Sequence, residues 1–220
     1  MKHPLKPTLK TELAPIVTIL IITIASFYFY QNFPDQVPTH WNYKGEIDSY
    51  SGKTFGAFGF PAIIMGVYLM FLVFPYLDPK KERYQEFKKT YHIFKAVIVG
   101  FLGLIYFYTG LAGLGYPVSI SVVVPITVGL LFIVMGNYMS KIKRNWFIGI
   151  RTPWTISNEE VWNKTHRLGG KIFIAIGLLM IVGTYLPNEL YWKLFIPSTF
   201  IGVIGMMGYS YWIYQKIEKK

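Results

Sequence analysis

HIFKAVIVGFLGLIYFYTGLAGLGYPVSISVVVPITVGLLFIVMGNY, residues His92 to Tyr138, holds two apolar runs with Gly115-Tyr116-Pro117 between them. A hydrocarbon core of about 30 Å takes about 20 helical residues to cross. His92–Leu114 and Val118–Tyr138 each meet that length. Gly and Pro mark the turn that joins them, so the stretch reads as a membrane helical hairpin. It lacks the alternation of apolar and polar residues that a β-barrel strand shows.

Working outward, four more runs of bilayer length appear. They are roughly Leu13–Phe33 and Ala57–Leu77 before the hairpin, and Gly170–Leu186 and Leu190–Tyr214 after it. Of the 220 residues 53% are hydrophobic and 15% charged, against about 25% charged in soluble domains, and the charges avoid the runs. The expected fold is an all-α membrane protein of six transmembrane helices, a single membrane domain over residues 1–220. Small residues recur in the runs, as in Gly100 with Gly103 and Gly110 with Gly113, where helices can approach closely. Pro125 and Pro197 lie inside two runs and predict kinks.

The net charge of +11 suggests nucleic-acid binding until the charges are placed. Threading six spans puts every Lys and Arg except Lys44, Lys53 and Lys193 on one side. That asymmetry is the positive-inside pattern. It puts both termini in the cytoplasm and replaces nucleic acid with the membrane as the reason for the charge. The first run follows a basic N-terminus, but bulky Phe27–Tyr30 and no small-residue cleavage site near Ala25 argue for an uncleaved helix. Thr11 is its expected cap, with Glu12 at the positive helix end and Pro15 in the first turn. There is no cysteine, which removes disulfides, thiol catalysis and thiolate metal sites.

No run carries Asp, Glu, Arg or His near its centre. Lys95, at the inner start of the third, is expected to snorkel to the interface. Ion-coupled transport usually needs an intramembrane ionisable group, so this argues against it.

Two polar segments remain. The extracellular one, residues 32–56, has a turn signal at Asn42-Tyr43-Lys44-Gly45 and predicts a hairpin of Val37–Trp41 with Glu46–Tyr50. Its Asp35, His40, Glu46 and Asp48 match no named ligand spacing, so no metal is expected. Trp41, Tyr43 and Tyr50 suit a surface at headgroup depth. The cytoplasmic one, residues 139–169, is long for a connector, and long ordered loops tend to carry function. Pro153 disfavours helix at Thr152. Ser157 and Glu160 read as a capping box that opens an amphipathic helix, and Gly169-Gly170 lets it bend into span five. Val161, Trp162, Thr165 and Leu168 share one face; Glu159, Asn163 and His166 share another. Glu160 and Lys164 are spaced as an i, i+4 pair.

Arg151 and Arg167 could bind lipid phosphates, a partner's carboxylates or acids of this chain. His166 beside Glu159 could be an acid–base pair or simply hydrogen-bonded. No catalytic or nucleotide motif occurs, so the chain is read as a non-enzyme without cofactor. A membrane enzyme acting on lipid or envelope and a small-molecule facilitator stand as alternatives.

Arg144-Asn145 and Gly149–Lys171 resemble the signature of the SdpI/YfhL family of bacterial immunity proteins. Pro34–Asn42, with Gly45, Asp48 and Lys53, resembles the DUF1648 domain that precedes it in many members. The resemblance implies a multi-pass plasma-membrane protein that protects a cell from a secreted antimicrobial peptide. It also implies, for some members, signalling in which the toxin-bound protein draws a transcriptional repressor to the membrane. On that reading Pro38, His40, Trp41, Asn42 and Asp48 are candidates for toxin contact. Asn145, Arg151, Thr152, Pro153, Trp154, Glu159, Trp162, His166 and Arg167 are candidates for a cytoplasmic partner surface or a structural motif. Membrane lipids are the remaining partner.

Overall fold

The computed structural model describes residues 4–219. In chain order the elements are α1 (Leu9–Asn32), β1 (Gln36–Trp41), β2 (Ile47–Gly52), α2 (Lys53–Leu77), a 3-10 segment (Lys81–Phe87), α3 (Lys88–Gly113), α4 (Ile120–Met139), α5 (Pro153–Ser157), α6 (Glu159–Gly183) and α7 (Asn188–Glu218). Among the described residues six helices are long and apolar enough to cross a membrane: α1, α2, α3 with its 3-10 lead-in, α4, α6 and α7. Their exposed positions are apolar, as at Leu20, Ile24, Phe200, Ile201 and Ile204. Such coats are rare on soluble proteins and ordinary against lipid.

Helix starts differ in detail from the reading of the sequence. Thr8, not Thr11, caps α1: it accepts from the Thr11 amide, and Thr11 closes the box as the N3 residue. Helix α1 thus begins at Leu9, and Pro15 lies beyond the first turn. Asn158, not Ser157, caps α6, its side chain accepting from the amides of Glu160 and Val161. A Ser-based box lost to Asn because α5 occupies Pro153–Ser157 and leaves Asn158 as the extended residue between two helices.

The larger correction concerns the amphipathic helix. It is not a separate cytoplasmic element that bends at Gly169-Gly170. Residues 159–183 form one continuous helix whose first half is polar on one side. The two glycines are buried packing positions instead of a hinge. His166 also falls on the buried side with Val161, Trp162 and Thr165, not on the polar face.

The chain divides into two compact units. One is built from Pro7–Leu72 and Lys95–Val128. Its core gathers Ile22, Phe29, Phe33, Val37, Ala57, Ile64, Tyr68, Val99 and Tyr106. Phe29 stacks on Phe33 and meets Tyr106 edge-on. A β-carbon on Gly110 would run into the edge of the Phe29 ring, so the ring keeps this position only against glycine. The Tyr106 hydroxyl donates to the Ala57 carbonyl at 2.7 Å, which satisfies a polar tip inside an apolar core.

Lys95 does not snorkel. It is 1% exposed, and its Nζ lies 2.5 Å from Glu12 Oε1. The Tyr68 hydroxyl donates to Glu12 Oε2 at 2.9 Å. A buried cation needs a fixed counter-charge, and Glu12, early in α1, provides it.

The other unit takes in, among the described residues, 4–6, 73–94 and 129–219. Here α4 and α6 touch through glycines. A β-carbon on Gly129 would lie 2.6 Å from the Gly177 carbonyl oxygen, and one on Gly136 2.6 Å from that of Gly170. Two glycines seven residues apart on each helix therefore let the backbones meet, a close approach of the kind small residues permit in membranes. Gly205 and Gly208 of α7 have open space where a side chain would be.

Candidate functional site

The unit built from Pro7–Leu72 and Lys95–Val128 carries the hairpin, which forms close to the expected limits. β1 and β2 pair antiparallel, Val37 opposite Ser51 and Trp41 opposite Ile47, with irregular register around Thr39. The turn is made by Asn42: its Oδ1 accepts from the amides of Lys44 at 2.9 Å and Glu46 at 3.1 Å. Gly45 has φ +83, a left-handed conformation that glycine adopts without strain. A β-carbon there would also meet Ser121 at 2.8 Å, so the hairpin tip rests on the start of α4. At the other end Val37 is buried against Gly56 and Gly113.

Between the hairpin and the helix ends lies a cavity of about 380 Å³. Pro38, Thr39, His40 and Trp41 wall it from β1, Phe33 from the cap of α1, and Phe60, Ile63, Tyr106, Ile120 and Val124 from the helices. Its size suits a small ligand or one or two bulky side chains, and its lining is apolar with few polar groups, the usual make-up of a binding pocket. At the rim His40 Nδ1 lies 2.5 Å from Asp48 Oδ1, both side chains well exposed. Of the five residues expected at a contact surface, Pro38, His40 and Trp41 line the cavity. Asn42 builds the turn and Asp48 holds His40. The helical part of the lining was not foreseen: its Phe and Ile residues look like any lipid-facing residues of a span.

The long loop is a tightly bonded structure in the other unit. Asn145 is fully buried. Its Oδ1 accepts from the Phe147 and Ile148 amides at 2.9 and 2.7 Å, and its Nδ2 donates to the Lys143 and Ile148 carbonyls. The Ile150 amide donates to His166 Nε2 at 3.0 Å, which leaves Nδ1 to donate to the Trp162 carbonyl at 2.9 Å. That arrangement requires neutral imidazole with its proton on Nδ1. The His166 ring stacks on Trp162, whose Nε1 donates to the Ile142 carbonyl. Thr152 and Thr155 form a capping box over Pro153 at the start of α5, and Thr152 also bonds Ser210 of α7. Arg144 donates to the Ser157 carbonyl at 2.7 Å.

Glu159 and His166 do not pair. Glu159 takes two bonds from Arg83, at 2.6 and 2.8 Å, while His166 is committed to backbone. Asp78, which no motif singled out, is buried. It accepts from the Tyr84 hydroxyl at 2.8 Å and the Trp146 amide at 2.9 Å. Thus four of the nine singled-out residues of this segment, Asn145, Thr152, Trp162 and His166, are internal bonding groups. Trp146, Arg151, Pro153 and Arg167 are exposed, and Trp154 is half-buried against Tyr211. Among the described residues no cluster of His, Asp and Glu has a metal-binding arrangement.

Residues 141–210 match the SdpI/YfhL protein family, and residues 17–65 match DUF1648, a domain of unknown function. The chain is 25% identical over 210 residues to "Immunity protein SdpI" of Bacillus subtilis (strain 168), covering 96% of this chain and 99% of that protein. No solved structure matches the chain. The resemblance read from the Arg144–Lys171 and Pro34–Lys53 segments is thereby shown, and with the six long helices it makes this a multi-pass membrane protein.

Proposed function

We propose, on the premise that the chain matches SdpI/YfhL over residues 141–210 and DUF1648 over residues 17–65 and is similar to an immunity protein along 96% of its length, that it is a membrane immunity protein against a secreted antimicrobial peptide. The observation that supports this best is the apolar cavity roofed by the hairpin. A peptide that permeabilises membranes presents apolar side chains, and burying one or two of them in a preformed cavity removes apolar surface from water. Trp41 and His40 at the wall would fix which residue enters. The role is binding, not catalysis.

The charge distribution supports a cell-membrane location with both termini in the cytoplasm. The hairpin of residues 32–56 then faces outward, where a secreted peptide arrives, and residues 139–169 face the cytoplasm. A second reading, signalling, is favoured by the exposed Trp146 beside Arg151, whose guanidinium donates to the Trp146 carbonyl. An exposed indole with a cation at hand is a common anchor for a protein partner, and a transcriptional repressor held at the membrane fits that surface. To transmit occupancy, the peptide must bind one of two arrangements of the protein more tightly than the other.

The test is a challenge of sensitive cells that express the chain with a panel of secreted peptides. Protection against at least one peptide, lost in Trp41→Ala at equal membrane abundance, is expected. Unchanged killing across the panel would sink the proposal.

A further inference from the structure

We propose that the groove between the first half of α6 and the last third of α7 is a binding site for an anionic phospholipid. Lys164, Arg167 and Lys171 line it from α6, and Tyr209 and Trp212 from α7. Its volume is about 440 Å³. It adjoins a smaller hollow that shares Lys164 and adds Lys216.

Three observations converge on that occupant. The first is charge. Lys164 has Glu160 as partner, and Lys216 lies over the Trp212 ring. Arg167 and Lys171 have no acidic partner among the described residues and are exposed. The groove therefore presents uncompensated positive charge that an anion would complete.

The second is depth. Beyond Lys171 the helix continues only to Gly183. At 1.5 Å per residue that is about 18 Å, well short of a hydrocarbon core of about 30 Å. Lys171 must therefore lie at or within the edge of the nonpolar layer, where a bare charge is costly. A lipid phosphate is the counter-charge available there, whereas an acidic soluble protein would have to reach below the headgroups. Tyr209 and Trp212 agree with that level, since amphipathic rings gather at the interface.

The third is the surface that continues from the cations toward the apolar ends of both helices. Leu178 follows Lys171 by seven residues on α6, and Gly205 precedes Trp212 by seven on α7, so both stay on the groove side. Leu178 is exposed, and nothing lies within 4 Å of where a Gly205 side chain would begin. An acyl chain fits along that bare strip while its phosphate sits among Arg167, Lys171 and Lys164.

The experiment uses the full chain in a neutral detergent, titrated with brominated phosphatidylglycerol or brominated phosphatidylcholine. The readout is the fluorescence quenching that disappears in Trp212→Phe. The account predicts at least tenfold tighter apparent binding of phosphatidylglycerol. Arg167→Gln with Lys171→Gln should weaken it about fivefold for each charge removed. Lys44→Gln with Lys53→Gln, which removes equal net charge from the hairpin region, should leave it unchanged, with helical circular dichroism confirming that every variant is folded. Equal binding of the two lipids overturns the proposal, as does a preference that survives the Arg167/Lys171 change. Occupation by inorganic phosphate as tight as by phosphatidylglycerol overturns the lipid assignment. Capture of an acidic protein through Arg167 and Lys171 without any lipid preference reassigns the groove and overturns it too.

Discussion

Lys95 Nζ of α3 stands 2.5 Å from Glu12 Oε1 of α1, and Tyr68 of α2 donates to the same carboxylate. One buried charge pair, with the Tyr68 hydroxyl on it, thus joins three helices of a unit whose core is otherwise largely apolar. Removing one partner of such a pair leaves the other uncompensated and costs about 3–5 kcal/mol. Lys95→Met is therefore expected to lower the thermal midpoint in neutral detergent sharply. Glu12→Gln combined with Lys95→Met should recover most of the loss. A single variant as stable as the parent would show that the pair does not hold the helices.

The backbone contacts between α4 and α6 give a steric prediction. Gly136→Ala puts a methyl 2.6 Å from the Gly170 carbonyl oxygen, so the helices must separate. A loss of about 1–3 kcal/mol is expected, measured as resistance to denaturant in detergent. Gly205→Ala, which meets nothing within 4 Å, serves as the control and should be neutral. Equal behaviour of the two variants would contradict the close approach.

For His166 the expectation is structural. His166→Ala deprives the Ile150 amide of its acceptor, and an unsatisfied buried donor costs about 1–3 kcal/mol. The loop should open, and protease cleavage between Lys141 and Ser157 should accelerate at unchanged helix content. If cleavage stays slow while protection is lost, His166 has a role beyond holding the loop.

Arg83 and Glu159 test whether the start of α6 is tied to the segment after α2. The pair is only partly exposed on the Arg side. Arg83→Glu should cost more than the ~1 kcal/mol typical of a surface pair, since Glu86 also bonds Arg83. The exchange Arg83→Glu with Glu159→Arg should restore part of the loss. No recovery in a double-mutant cycle would mean the two side chains contribute independently.

Six spans, a hairpin about Asn42–Gly45 and the Glu160–Lys164 pair were legible because each rests on local rules: run length, turn chemistry and helical spacing. Caps were legible only to within one to three residues, as Thr8 and Asn158 took places assigned to Thr11 and Ser157. Long-range pairings were not legible. Lys95 looked like an interfacial lysine because its counter-ion, Glu12, lies in another helix and itself looked like a first-turn residue. Gly129, Gly136, Gly170 and Gly177 gained meaning only when α4 and α6 were placed together. The polarity of His166 and Asn145 left a partner surface and a structural motif both open; their bonds are with backbone groups of the loop and of α6. The cavity was half visible: Pro38, His40 and Trp41 stood out in a polar segment, whereas Phe60 and Ile63 were hidden among lipid-facing neighbours.

The central claim is that a secreted peptide places an apolar group in the cavity beneath the hairpin. The most direct measurement is photo-crosslinking in intact cells, with a benzophenone side chain replacing Thr39 or Ile63, both of which line it, or Ile204 of α7 as control. With a peptide against which the chain protects, the account predicts covalent adducts at positions 39 and 63, absent at 204 and diminished by Trp41→Ala. Protection that persists with no adduct at either cavity position, or with adducts at 204 alone, would contradict it.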